Sequence, residues 1–347
     1  MVIIEEVVFV LTPFHIKSIV DLFPELLYSK STLVFKANYL EISDMNCHFI
    51  SFDNNEFSRK ELLRNPIKGL KETRNNLNRV DSFLRENLEP FNLANNVQVY
   101  LGNDKDIYTQ RFIQLHKKRI ENLIAIDEGL GFYVKEDFKD RLFKVLYPVL
   151  TTLFFSKKIH FIKRLGTHPL VNKIFLRDIE LLKEKNPEIQ YLEYSKGNTR
   201  KIGKIKSGKV LIYSFPEQDL AISKARKGVV YADIINSCLG RGLEVIIKPH
   251  PREDIEEMID MFDKKEGVTF LPKEVLGESV LYEEYELIIS FFSSIILDLI
   301  NRGYPKERIL TIGFTSKPLV DFSAMIEYHY FNDFYFSKSK FGNESYS

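Results

Sequence analysis

Short, β-rich apolar runs alternate with longer segments of helical period, and the pattern occurs twice. In the first half the runs fall at residues 7–11, 32–35, 47–52, 97–101 and 123–126, and helix-period segments occupy 13–27, 59–88, 107–120 and 136–155. A further β-like run covers 159–162. Pro13 stands where the first helix opens, a position at which its missing N–H costs nothing. In the second half the runs at 210–214, 244–247, 268–271, 287–290 and 309–312 alternate with helical segments at 224–239, 254–262 and 294–301. Such alternation predicts mostly parallel sheets covered by helices on both faces. Between the halves, residues 196–209 are basic, bear Gly, Ser and Asn, and hold few large apolar groups, as an exposed linker does. The expected fold class is therefore α/β, with two facing Rossmann-like domains and a cleft between them. The boundaries read as 1–200 and 209–327, with an aromatic C-terminal tail over 328–347.

Charge excludes some functions. Lys and Arg total 49 against 48 Asp and Glu, a net charge of +1, whereas a dedicated nucleic-acid binder needs a basic surplus. Two cysteines, Cys47 and Cys238, offer neither a zinc motif nor a disulfide framework, which fits a reducing compartment. The start of the chain, with Glu5 and Glu6 and no basic n-region, does not read as a signal peptide. The longest apolar run, 287–300, is broken by Ser290, Ser293, Ser294 and Asp298, short of the roughly 18–20 residues that a spanning helix needs. The expected location is the cytoplasm.

Open parallel sheets bind ligands beyond the carboxyl ends of their strands, so polar groups at predicted strand ends are the candidates. Asp127 and Glu128 end one run and precede Gly129 and Gly131. One such carboxylate can deprotonate an acceptor hydroxyl while its neighbour supports it; the plain alternative is an acidic turn capping the next helix. Lys248-Pro249-His250-Pro251 ends another run, and the two prolines fix where the imidazole points. Lys248 and Arg252 are expected to keep an anion nearby and so to favour the protonated ring; the alternative is a structural histidine. Ser293 and Ser294 lie at a strand-to-helix junction, where free N–H groups seat a phosphate or serines simply cap. Glu278, in the loop that begins with Pro272, Lys273 and Glu274, is a candidate for ribose hydroxyls. Thr167-His168-Pro169 reads as a decoy, and Asp104-Lys105-Asp106 reads as a helix start more than as a metal site.

In this order, the Asp127-Glu128-Gly129, His250-Pro251 and Ser293-Ser294 motifs resemble the D/E-D/E-G, HP and serine-pair motifs of the bacterial sialyltransferases of the GT-B type. The opening Phe9-Val10-Leu11-Thr12-Pro13-Phe14-His15 looks like that of the lipooligosaccharide and capsule branches. The resemblance implies a glycosyltransferase that moves sialic acid, with inversion, from CMP-sialic acid to a glycan hydroxyl, either a terminal galactose or a sialic acid. It implies Asp127 as general base with Glu128 in support or in exchanged role, and His250 on the CMP phosphate as acid or electrostatic stabiliser. Ser293, Ser294, Lys248, Thr12 and Ser214 would then hold the donor, Glu278 its ribose, and the stretch Pro272, Lys273 and Glu274 its cytosine. No cofactor and no metal are implied, because a nucleoside monophosphate leaves without a diphosphate to neutralise. Partners are a CMP-sugar and a glycan, with no nucleic acid. Loss of activity in Asp127→Ala and His250→Ala is expected with the fold intact. The competing readings are a CDP-polyol phosphotransferase, a Kdo transferase and a non-catalytic nucleotide- or glycan-binding subunit of surface-polysaccharide assembly. The basic stretches around 157–164 and 196–209, beside the amphipathic 136–155, read either as solvated surface or as a peripheral contact with the inner face of the membrane.

Overall fold

The structure is a computed structural model that describes residues 2–311 except 41–44, 54–65, 128, 134, 135, 137, 178, 181, 183, 195–201, 207, 217–222, 251, 262–265, 273, 274, 276, 291–294, 306 and 307. Glu128, Lys273, Glu274, Ser293, Ser294 and the tail 328–347 thus lie outside the described residues. The chain divides into two compact units, Met1–Ser195 and Lys196–Ser347.

In the first unit β1 (Val2–Val10), α1 (Pro13–Leu22), β2 (Thr32–Ala37), β3 (His48–Phe52), α2 (Pro66–Leu88) and β4 (Phe91–Leu101) follow in turn. Then come α3 (Ile107–His116), β5 (Ile120–Ile126), α4 (Phe138–Phe155), β6 (Lys173–Leu176) and β7 (Gln190–Glu193). The strands pair in parallel in the order β3-β2-β1-β4-β5-β6-β7. Helix α1 stops earlier than the sequence pattern predicts. Proline disfavours helical backbone in the residue before it, so Phe23 leaves the helix and Pro24–Tyr28 form a separate 3-10 turn. The predicted run at 159–162 is not a strand. The Ile159 N–H donates to Thr151 Oγ1 (3.1 Å) and the His160 N–H to Gln110 Oε1 (2.7 Å), so side chains satisfy this backbone. Strands β6 and β7, four residues each, are absent from the sequence reading.

The second unit contains β8 (Lys209–Tyr213), α5 (Lys224–Leu239), β9 (Glu244–Lys248), α6 (Ile255–Met261), β10 (Val268–Phe270), β11 (Leu287–Ser290), α7 (Ile295–Asn301) and β12 (Ile309–Thr311). Its parallel sheet runs β10-β9-β8-β11-β12. Alternation along β8 sends Val210 and Ile212 to one face, where Val230, Tyr231, Ile234, Ile235 and Cys238 of α5 cover them. Leu211 and Tyr213 point to the other face and pack with Ile295, Ile296 and Leu299 of α7. Strands buried on both faces must be apolar throughout, which is why these runs do not alternate with polar residues.

Counted within each unit, the second sheet has the order 3-2-1-4-5 and the first has the same order continued by strands 6 and 7, the dinucleotide-fold order. The order reverses between β1 and β4 in the first unit and between β8 and β11 in the second. At such a switch point the flanking connections diverge to opposite faces and leave room for a ligand beyond the strand ends.

Candidate functional site

In the first unit the polar groups gather beyond β5, β6 and β7. Asp127 follows β5 and is wholly buried. Its Oδ1 accepts from the Gly129 N–H (2.7 Å) and from Arg177 Nη2 (3.3 Å). Its Oδ2 accepts from the Tyr133 hydroxyl, the Arg177 N–H (3.1 Å) and Arg177 Nε (3.4 Å). Arg177 arrives because β6 lies beside β5 and ends one residue before it. Its guanidinium stacks over Phe14 at 4.7 Å, and Tyr194, just past β7, donates to the Asp127 carbonyl at 3.4 Å. The Asp127 charge raises the Arg177 pKa further above its ordinary value against the opposing effect of burial. Gly129 takes φ 140°, a backbone that L side chains rarely adopt, which accounts for a glycine directly after the acidic pair. Removing the Asp127 carboxylate strands a buried guanidinium, so Asp127→Ala is expected to cost stability as well as activity.

Thr12 stands at the end of β1 and caps α1 by accepting from the His15 N–H (3.3 Å). His15 in turn accepts the Leu11 N–H on Nδ1 at 2.9 Å, and its ring lies so close to Gly102 that a Cβ there would sit 2.2 Å from Nε2. Asp104 and Asp106, after β4, act as structural carboxylates. Asp104 accepts from the Gly166 and His168 N–H groups (3.1 and 2.8 Å), and Asp106 caps α3 through Thr109 N and Oγ1 (2.7 and 2.9 Å). Burial outweighs these bonds and pushes each carboxyl up to about 6. His168 is buried in the same knot, and desolvation lowers its imidazole to about 3.

The second unit brings together most of its described candidates. Ser214 follows β8 and its N–H donates to the carbonyl of Lys248, the last residue of β9 (2.9 Å). The Ser214 hydroxyl donates to Glu253 Oε1 (2.8 Å), and the His250 N–H donates to Glu253 Oε2 (2.7 Å). Lys227 of α5, only 2% exposed, forms an ion pair with the same Oε1. Lys248 is also buried, its ammonium on the Pro249 carbonyl at 2.5 Å. Phe215 leans against the His250 ring at 5.5 Å. The loop after β10 is tied back to β8: Tyr213 Oη donates to the Gly277 carbonyl (2.9 Å), next to Glu278, whose own side chain lies outside the described residues. Pro272 lies exposed at the head of that loop. Ser290, at the end of β11 across the switch point from Ser214, is wholly buried, and its Oγ has no hydrogen-bond partner among the described residues.

One electrostatic expectation is reversed. Burial first, then the charges of Arg252, Lys248 and Lys227, lower the His250 pKa to about 4. Neighbouring cations penalise a further positive charge, so the free protein holds a neutral ring at pH 7. The Arg252 N–H donates to Nδ1 (3.2 Å), which leaves the ring proton on Nε2 as a donor.

The sequence reading missed Arg177, Tyr133, Tyr194, Lys227, Glu253 and Ser290. Glu253, three residues past His250, and Tyr133, six past Asp127, were within reach of local spacing. Arg177 and Lys227 were not, because only the pairing of β5 with β6 and the packing of α5 on β8 deliver them.

Two parallel sheets of dinucleotide-fold order, each with polar groups gathered at its carboxyl edge, are those of the GT-B fold class. A 2,6-sialyltransferase of Vibrionaceae Photobacterium sp. JT-ISH-224, solved with CMP and lactose, is similar in structure, with a TM-score of 0.50 at 11% identity over 93% of this chain and 77% of that one. A point variant of Os79 from O. sativa, solved with UDP, has a TM-score of 0.50 at 10% identity over 92% of this chain and 84% of its own. At such identities the likeness concerns the fold. No curated protein matches in sequence. The sequence model of glycosyltransferase family 52 matches residues 44–310, and the chain belongs to that family, a family of sialyltransferases.

Proposed function

We propose that this sialyltransferase moves sialic acid from CMP-sialic acid to a sugar hydroxyl with inversion and without a metal. The observation that carries the donor side is the cationic cluster at the ends of β8 and β9, where Lys227, Lys248 and Arg252 lie with the neutral His250 around Glu253 and Ser214. Such a cluster suits the phosphate of a nucleoside monophosphate. Glu253 holds the His250 backbone, and the Nε2–H of a neutral ring donates a hydrogen bond to the departing phosphate. As negative charge develops on that phosphate, it offsets the cations that keep the ring neutral, and the imidazole becomes a better proton donor. The orphaned Ser290 hydroxyl extends the phosphate seat from the other side of the switch point, Ser293 and Ser294 are assigned to the same phosphate, and Glu278 takes the ribose. Asp104 and Asp106 spend their carboxylates on backbone N–H groups, which supports a reaction that does not use them to hold a cation.

On the acceptor side, Asp127 and Glu128 supply the base. For Asp127 to take the proton, the acceptor hydroxyl must replace the Tyr133 O–H, a neutral donor, while Arg177 keeps the carboxylate oriented. Each of Asp127 and His250 then contributes roughly 10²–10⁴-fold to the rate. The oxocarbenium-like transition state needs the phosphate stabilised more than protonated. CMP and lactose, the ligands of the Photobacterium enzyme, are the first donor product and acceptor to test.

The test is thermal stabilisation by CMP, CDP, UMP, UDP and GDP, each with and without EDTA, followed by transfer from CMP-sialic acid to lactose with the product anomer read by NMR. CMP at 100 times its Kd stabilises by about 2.7 kcal/mol. The proposal expects CMP to give the largest shift, EDTA to change nothing and the product to be the α-anomer. Preference for CDP or UDP, or a metal requirement, overturns it.

A further inference from the structure

Asp104, just past β4, takes no part in the transfer chemistry, yet it is wholly buried and both of its oxygens are occupied. They accept from the Gly166 and His168 N–H groups at 3.1 and 2.8 Å, 62 and 64 residues further along the chain. An asparagine in this place would offer one acceptor and turn its own NH₂ towards the second N–H, so gripping both requires a carboxylate. Gln110 of α3 holds the other end of the same segment. Its Oε1 accepts the His160 N–H (2.7 Å), while Nε2 donates to the carbonyls of His160 (3.1 Å) and Asp104 (3.0 Å). Residues 160–168 contain neither strand nor helix, so these two side chains take the place of a ladder for this backbone.

The held segment packs on the turn after β5. The Leu165 N–H donates to the Gly131 carbonyl at 2.9 Å. A Cβ on Gly131 would lie 2.6 Å from Leu165 Cδ1, and one on Gly166 would lie 2.8 Å from the Phe132 ring. The φ of Gly131 lies outside the left-handed region, so close packing is what calls for glycine there. Leu165 and Phe132 are both buried, and two segments interlocked at this density shift together. The same turn closes on Asp127, its Gly129 N–H on Oδ1 and its Tyr133 hydroxyl on Oδ2. Contact therefore runs along the carboxyl edge of the sheet from the end of β4 to the end of β5. A misplacement of about 1 Å at a reacting group costs roughly 10²-fold in rate. We infer that Asp104 is a positioning residue for the transfer: it seats the 164–168 segment against the Gly129–Tyr133 turn and so fixes where the acidic pair points. The inference rests on the reading of Asp127 and Glu128 as the base.

The test uses the full chain and follows sialyl transfer to lactose, per folded protein, well below the Tm. Gly131→Ala wedges the two segments apart without altering Asp104 or Asp127. It should lower kcat by about tenfold or more and leave the KM for CMP-sialic acid and the Kd for CMP unchanged. Adding Leu165→Ala removes Cγ and Cδ1 and leaves the new Cβ an ordinary 3.9 Å from Leu165 Cβ, so the double variant should recover most of the lost rate. Asp104→Asn, where it folds, should lose kcat in the same way. A merely structural contact would lower the Tm and leave kcat of the folded fraction at the parent value, and that result overturns the inference. So does a loss in Gly131→Ala that Leu165→Ala fails to reverse. Asp127→Asn and Glu128→Gln separate the two readings. Transfer lost in either of them but normal in Gly131→Ala overturns the positioning role alone, whereas transfer retained in both overturns the reading of the acidic pair as base.

Discussion

The Asp127–Arg177 pair gives the sharpest test of how the first unit is held together. The perturbation is Asp127→Asn, which keeps the shape and removes the charge. With the amide oxygen in the Oδ1 place the Gly129 N–H keeps its acceptor and Tyr133 can turn its hydroxyl to accept from the new NH₂ group, while the Arg177 N–H, which donates to Oδ2, loses its acceptor. The guanidinium cannot adapt, since it carries only donors. It sits at 9% exposure beside a carboxylate at 0%, so its charge is left without a partner in surroundings that water does not reach. Breaking a buried pair in this way costs about 3–5 kcal/mol, a large fraction of a typical stability of about 5–15 kcal/mol. For a unit of the size of Met1–Ser195, that corresponds to a Tm lower by roughly 10 °C. Urea unfolding of Asp127→Asn, Arg177→Met and the double variant closes a thermodynamic cycle. The double variant removes both charges and should be less destabilised than the sum of the singles by about 2 kcal/mol or more. If Asp127→Asn lies within about 1 kcal/mol of the parent, the pair is not the hub described here. Sialyl transfer measured well below the lowered Tm then separates chemistry from folding, because a carboxylate acting only as scaffold leaves kcat of the folded fraction unchanged.

Three further perturbations probe the second unit and the β1 turn. Lys227→Met leaves Glu253 buried with two neutral donors, and should cost about 3 kcal/mol in urea unfolding and weaken CMP binding; unchanged values for both would detach Lys227 from the donor side. His250 has a folded pKa of about 4 against 6.5 in the unfolded chain, so the unfolded state takes up the proton first and stability falls as pH drops from 6.5 towards 4. Compared with His250→Asn, the parent should lose about 1–2 kcal/mol more between pH 7 and 5, and parallel pH curves would contradict the lowered pKa. Gly102→Ala places a Cβ against the clamped His15 ring and should destabilise the first unit by about 1–3 kcal/mol; a neutral result in thermal melts would mean that the ring moves aside freely.

Much of the fold was legible because strands buried on both faces cannot hide: β2, β5, β8, β9 and β11 each contain a run of three or four consecutive apolar residues, and helices such as α5 announce themselves by period. The short strands β6 and β7 carry polar residues and gave no such signal, while 159–162 offered an apolar run whose backbone bonds to side chains instead. The candidate residues Asp127, Lys248, His250 and Ser214 were readable because a parallel sheet puts its chemistry at strand ends. Their partners were not. Arg177 is fifty residues from Asp127 and meets it only because β6 pairs with β5. Lys227 reaches Glu253 only through the packing of α5.

What local sequence determined by itself is therefore most of the elements, the order of the motifs and the residue types at the strand ends, since period, glycine, proline and capping act over a few residues. Tertiary structure alone decided the states of those groups. It made Asp127 a saturated ion-pair hub and His250 a neutral donor among cations. Burial and charge proximity set ionisation and exposure, and both depend on which distant segments the sheets bring side by side.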